Sequence, residues 1–216
     1  MSSEADMPMA RAPKRERGKQ RVAELLQAAA EVFAEKGYEA ATMTEIAARA
    51  GAPIGSLYQF FPVKDALADS LVQNYAALLV ADLQALEARA SRIDTETLVD
   101  NLLGLLRARG RERAAAVSLV EARMDERTRR TTFRYMLRKQ IAAILRARCP
   151  ALSAEAARDM AVVLVSLMKA VGALLDEEGL PGRAAGLRDL RTIAVQYIEE
   201  RLTSGVIGDL DRTATV

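Results

Sequence analysis

Residues able to make and break covalent bonds are scarce in this chain. Its 216 positions hold no histidine and no tryptophan, and Cys149 is the single cysteine. Histidine-based nucleophilic triads, Cys/His zinc sites, carboxylate–histidine di-iron bundles and any disulfide within the chain are thereby excluded. No pair of carboxylates stands at a catalytic spacing. Cys149 lies beside Pro150 and reads as an incidental thiol. The expectation is a protein that is not an enzyme and uses neither metal nor cofactor. Side chains that hydrogen-bond rather than react remain, among them Thr42, Thr44, Ser56, Tyr58, Gln59 and Lys64. What these can do depends on the elements that carry them.

The composition, 50% hydrophobic and 28% charged, is that of a globular protein. Ala, Leu, Arg and Glu fill long stretches free of Gly and Pro, and no stretch alternates as a strand does, so the fold class is all-α. No apolar run approaches the ~20 residues that span a bilayer. The polar, acidic stretch 1–9 is no signal peptide, and a cytoplasmic protein without membrane contact is expected. Residues 1–13 read as a disordered arm. A first helix from about Lys14 to Lys36 carries the apolar stripe Val22, Leu25, Leu26, Ala29, Val32 and Phe33, and Gly37 stops it. Thr42-Met43-Thr44-Glu45 has the pattern of a capping box and opens a short helix over 43–50. After a turn at Gly51-Ala52, Pro53 suits the first turn of another helix over 53–61, ending before Pro62. Two short helices about a glycine turn, buttressed by a longer one, form a helix-turn-helix, whose second helix enters the major groove of DNA. Gly55 inside that second helix costs about 1 kcal/mol relative to alanine, which implies a steric need set by a neighbouring helix or by DNA.

At this point the residues resemble a known family. The stretch from Arg21 to Leu71 is similar to the DNA-binding domain of the TetR family of bacterial transcriptional regulators. Thr42-Met43-Thr44-Glu45-Ile46-Ala47, Ala50-Gly51, and Gly55-Ser56-Leu57-Tyr58-Gln59-Phe60-Phe61-Pro62-Val63-Lys64-Asp65-Ala66-Leu67 carry the likeness. The resemblance implies phosphate contacts at Thr42 and Thr44, and phosphate clamps at Tyr58 and Lys64. It places Ile54, Gly55, Ser56 and Gln59 on the exposed face of the recognition helix, with Gln59 suited to adenine and Ile54 to a thymine methyl. Phe60 sits where the family often has a DNA-facing residue, whereas Leu57 and Phe61 read as core. Pro53 departs from the family's usual Ser or Thr, so that residue offers no hydroxyl to a phosphate.

The helix-turn-helix domain thus occupies 14–62, and a larger helical domain 63–204 follows, ahead of a tail at 205–216. Further helices are expected near 63–89, 95–109, 111–124, 127–148, 153–178 and 183–203, about nine in all. Net charge is only +2, but its distribution is uneven. Residues 11–21 hold six basic side chains against one acidic, 65–106 two against seven, 107–148 thirteen against four, and 149–216 seven against ten. The basic block around Arg127, Arg129, Arg130, Arg134, Arg138 and Lys139 is read as a solvated face pairing with acidic segments, the fourth helix among them. Met124, Phe133, Met136, Met160, Leu164 and Met168 form a candidate effector pocket. The last two long helices are expected to dimerise through Val162, Val163, Val165, Leu167, Val171, Leu174, Leu175, Ile193, Val195 and Ile198. The resemblance and this layout together imply a homodimeric repressor, released from a palindromic operator in double-stranded DNA by a small molecule. A ligand-independent activator or architectural protein, and a helical adaptor or enzyme, are the alternative classes.

Overall fold

The computed structural model describes residues 16–108, 110–123 and 126–213, with side chains at all of these except 121, 126–133 and 204–213. Among the described residues every regular element is helical, in keeping with the all-α expectation. The order is α1 (Glu16–Ala40), α2 (Met43–Arg49), α3 (Ile54–Phe60), α4 (Lys64–Glu87), α5 (Thr95–Ala108), α6 (Gly110–Arg123), α7 (Glu126–Arg148), α8 (Ala154–Asp176) and α9 (Arg183–Thr213). A single 3-10 turn, Ala90–Arg92, precedes α5. The expected arm at 1–13 lies outside the described residues.

Contacts group the chain into two units: Met1–Ala77 with Gly110–Glu126, and Leu78–Arg109 with Arg127–Val216. α4 runs through the division. In the first unit α1 packs on α2 and α6, and α2 packs on α3. The stripe Leu25, Leu26, Ala29, Val32 and Phe33 is buried, as its spacing requires. Backbone helical geometry is lost at Gly37, whose φ of 75° and ψ of 173° suit only glycine, but a further turn carries α1 to Ala40. That extra turn holds Tyr38. α6 comes from a stretch that the sequence places in the larger domain, yet it joins this unit. Its Ala115 and Ala116 are buried, as are Ala28, Ala29 and Ala30 of α1, and small side chains on both helices permit a close approach.

In the second unit α8 packs on α9, and α5 packs on both. Met160, Ala161, Leu164, Val165, Met168 and Val171 bury one side of α8, against which Val195 and Ile198 contribute from α9 and Leu98, Val99 and Leu102 from α5. Three of the candidate effector residues, Met160, Leu164 and Met168, are therefore core side chains of α8, and Met136 of α7 is half-buried. Met124 and the side chain of Phe133 lie outside the described residues.

The candidate dimer residues split. Val171 and Ile198 are 1% and 0% exposed and belong to the interior of their own unit, as do Val165 and Val195. Leu174 is turned toward α9, where its Cδ1 would stand 3.2 Å from a Cβ placed on Gly186. Leu167 and Leu175 are half-buried, while Val162, Val163 and Ile193 stay exposed. Hydropathy alone cannot separate the two faces of an apolar helix. α9 continues past its expected end near 203 to Thr213, because isolated glycines such as Gly205 and Gly208 weaken a helix without breaking it.

Candidate nucleic-acid interface

The first unit holds a short α2 and α3 in a fixed relation. α2 begins with the capping box that its sequence predicts. The Thr42 hydroxyl accepts from the Glu45 amide at 3.2 Å, and the Glu45 carboxylate accepts from the Thr42 amide at 3.1 Å and its hydroxyl at 2.9 Å. Lys36 of α1 pairs with the other carboxylate oxygen of Glu45. That pairing, followed by the Thr42 bonds, holds the Glu45 carboxyl below its ordinary range. The far end of α2 is tied down equally: Arg49 grips both carboxylate oxygens of Glu35 at 2.8 and 2.7 Å and reaches Glu31 at 3.3 Å. Glu35 is held below its ordinary range by the Arg49 bond. Both ends of α2 are thus pinned to α1, while Ile46 and Ala47 are buried between.

Gly51, with φ of 58°, makes the turn that reverses the chain into α3. The Ala52 amide donates back to the Ala47 carbonyl at 2.9 Å, closing it. Pro53 has φ of −58°, which presets the helix start, and it provides no side-chain cap. Leu57 and Phe61 anchor α3 with exposures of 0% and 2%. On the opposite side Ile54 and Tyr58 are 40% and 49% exposed, and Gly55 and Gln59 are open to solvent as well. Ser56 and Phe60 are half-buried at the margins. Tyr58 is therefore a surface tyrosine, unlike the buried Phe33 and Phe61.

Two residues that the resemblance implies as phosphate contacts are otherwise engaged. Thr42 and Thr44 are both exposed, and the Thr42 hydroxyl proton is directed at Glu45. Lys64 turns its ammonium onto the end of α1, donating to the carbonyls of Tyr38 at 2.8 Å, Ala41 at 3.1 Å and Glu39 at 3.3 Å. It also lies 4.4 Å from the centre of the Tyr38 ring. An ammonium has three donors, and all three face carbonyls here. Through these bonds Lys64 joins α4 to the end of α1.

Beside it stands a cluster that sequence reasoning missed. Tyr38 donates its phenol to Asp65. Arg123 of α6 reaches Asp65 at 2.9 Å and Asp69 at 2.6 Å, with its guanidinium 5.1 Å from the Tyr38 ring centre. Burial, followed by the bond to Asp65, pushes the Tyr38 phenol up to about 12. The available signal was the acidic start of the fourth helix set against the basic block, but charge counts cannot select one arginine among twelve.

A glycine-turned pair of helices, braced by a third and presenting an outward face on the second, defines a helix-turn-helix module. Residues 25–71 match the family model of the bacterial regulatory proteins of the tetR family. The HTH-type transcriptional repressor KstR2 of Mycobacterium tuberculosis is 43% identical over 58 residues, which are 27% of this chain and 29% of that protein. The match therefore spans less than a third of the curated relative. Among solved structures, a Mesorhizobium loti protein assigned to the TetR-family transcriptional regulators superposes with a TM-score of 0.66 at 19% identity, covering 88% of this chain and 98% of that one. A gamma-butyrolactone receptor described as ArpA-like gives 0.52 at 21% identity, with 85% and 100% covered. These structures share the fold.

Proposed function

We propose that this protein is a DNA-binding transcriptional regulator, acting as a homodimeric repressor that a small molecule releases from a palindromic operator. The observation that carries the reading is the outward face of α3, presented by an α2 pinned at both ends. Ile54, Gly55, Tyr58 and Gln59 would meet base edges and the flanking backbone in the major groove, with Thr44 and the half-buried Ser56 and Phe60 at its rim. The sequence likeness to a named repressor across this same module supports the assignment.

Pairing of two chains would use the exposed side of α8 and α9, where Val162, Val163 and Ile193 stand outside the core. Two-fold symmetry would set the recognition helices one DNA turn apart, ~34–36 Å. An effector would lie in the second unit near Met136, Met160, Leu164 and Met168, where flexible methionines can repack around an apolar guest. The shared fold with a receptor for a small lactone supports this part of the reading. A ligand that favours a state with different helix spacing then depletes the DNA-bound state.

Selection of bound duplexes from a random pool tests the reading directly. The expected product is a two-fold symmetric site, bound by two chains per duplex in analytical ultracentrifugation and released by a member of a metabolite library. An asymmetric site bound by one chain would refute the dimer, and a pool that never enriches would refute DNA binding.

A further inference from the structure

Gly55 is a glycine in the first turn of α3 that nothing in the described residues requires. Its backbone lies outside the left-handed region, and a Cβ placed on it would meet no atom within 4 Å. Gly37 and Gly51, by contrast, need positive φ, and Gly186 faces Leu174 closely. Gly104 and Gly110 are open too, but neither stands on a face of outward recognition side chains. Alanine at 55 would fit the free protein and favour its helix. The neighbouring helix is therefore not the source of the steric need, and a partner outside the chain is.

The surroundings specify that partner. At about 100° per residue, Ile54, Tyr58, Gly55 and Gln59 follow one another round a single arc, and all four are exposed. Gly55 falls between the Tyr58 ring and the Gln59 amide. No residue of α3 is charged, so the arginine or lysine that reads guanine O6 and N7 is missing from this helix. What the arc offers is an amide matched to adenine N6 and N7, apolar carbon, and a gap one methyl group wide.

Resting on the DNA-binding reading above, we propose that Gly55 is a specificity-determining residue: its missing side chain admits the 5-methyl group of a thymine to the α3 backbone, while Gln59 reads an adenine beside it. A bare Cα lets the helix sit deeper in the groove than any other residue would allow.

The test uses the full chain and an operator selected by the wild-type protein. Gly55→Ala is expected to melt no lower than wild type, since alanine is the better helix former, and to bind that operator about tenfold more weakly. Each thymine of a half-site is then replaced in turn by deoxyuridine, which lacks the methyl group. At one position this change is expected to weaken wild-type binding about fourfold and to restore much of the affinity of Gly55→Ala, whose own methyl fills the vacated space. Equal loss by the variant on every deoxyuridine duplex overturns the thymine assignment. Unchanged affinity overturns the close approach, and a lower melting temperature overturns the claim that the protein itself leaves room. If the wild-type protein enriches no duplex, the DNA-binding reading fails, and this inference fails with it.

Discussion

Replacing Lys64 by methionine separates a structural lysine from a phosphate clamp. The change keeps the apolar stem and removes the ammonium that bridges α1 and α4. Two of its bonds, at 2.8 and 3.1 Å, are each worth about 1 kcal/mol net. The third, at 3.3 Å to the Glu39 carbonyl, adds little. The stacked Tyr38 ring at 4.4 Å adds about 0.5–1 kcal/mol for a cation partly open to water. The sum is roughly 2–3 kcal/mol, which for a chain of this size corresponds to a melting temperature roughly 4–12 °C lower. Far-ultraviolet circular dichroism on heating measures it. The complementary measurement is the dependence of operator affinity on salt, because each phosphate contact contributes about 0.9 to the logarithmic slope. A structural lysine leaves that slope unchanged when binding is measured well below the melting transition. An unchanged melting temperature together with a slope lowered by about 0.9 per chain would refute the assignment and restore the clamp.

Other expectations follow from the same geometry. Ile193→Glu, at a position 48% exposed, should weaken self-association by at least about a hundredfold in sedimentation equilibrium while leaving the helical spectrum intact. Ile198→Ala, at 0% exposure, should instead cost about 2–5 kcal/mol in chemical denaturation through a cavity in the monomer. Arg123→Gln should destabilise the protein by about 1–2 kcal/mol, since its partners Asp65 and Asp69 are partly solvated and then face each other as like charges. In a double-mutant cycle with Asp69→Asn, the two losses should be less than additive. Glu35 and Glu45 are depressed from an ordinary 4.5 by Arg49 and Lys36. Their contribution is therefore in place above pH 4.5 and is lost as the pH falls through the lower folded values. Thermal melts across the acid range should show a shallower decline for Arg49→Gln than for wild type.

The helix-turn-helix was legible because its determinants are local. A capping box needs only Thr42 and Glu45 three residues apart, a tight turn needs Gly51, and a short helix start tolerates Pro53. Each is decided by backbone geometry within one or two turns of chain. The apolar stripe of α1 was readable for the same reason. Such signals also located the outward face of α3, since Leu57 and Phe61 had to be its anchor.

Tertiary structure decided which groups remain available and which are already paired. Lys64 and Thr42 have the chemistry of phosphate ligands, but the carbonyls at the end of α1 and the Glu45 carboxylate take up their donors. Val171 and Val163 are alike in sequence, and only the packing of α8 on α9 and α5 puts one inside and leaves the other exposed. Arg123 meets Asp65 across more than fifty intervening residues, and no local pattern encodes that distance. For Gly55 the sequence allowed two causes, a neighbouring helix or DNA. The empty space around its Cα removed the first, because steric exclusion depends on what lies nearby in three dimensions and not on what lies nearby in the chain.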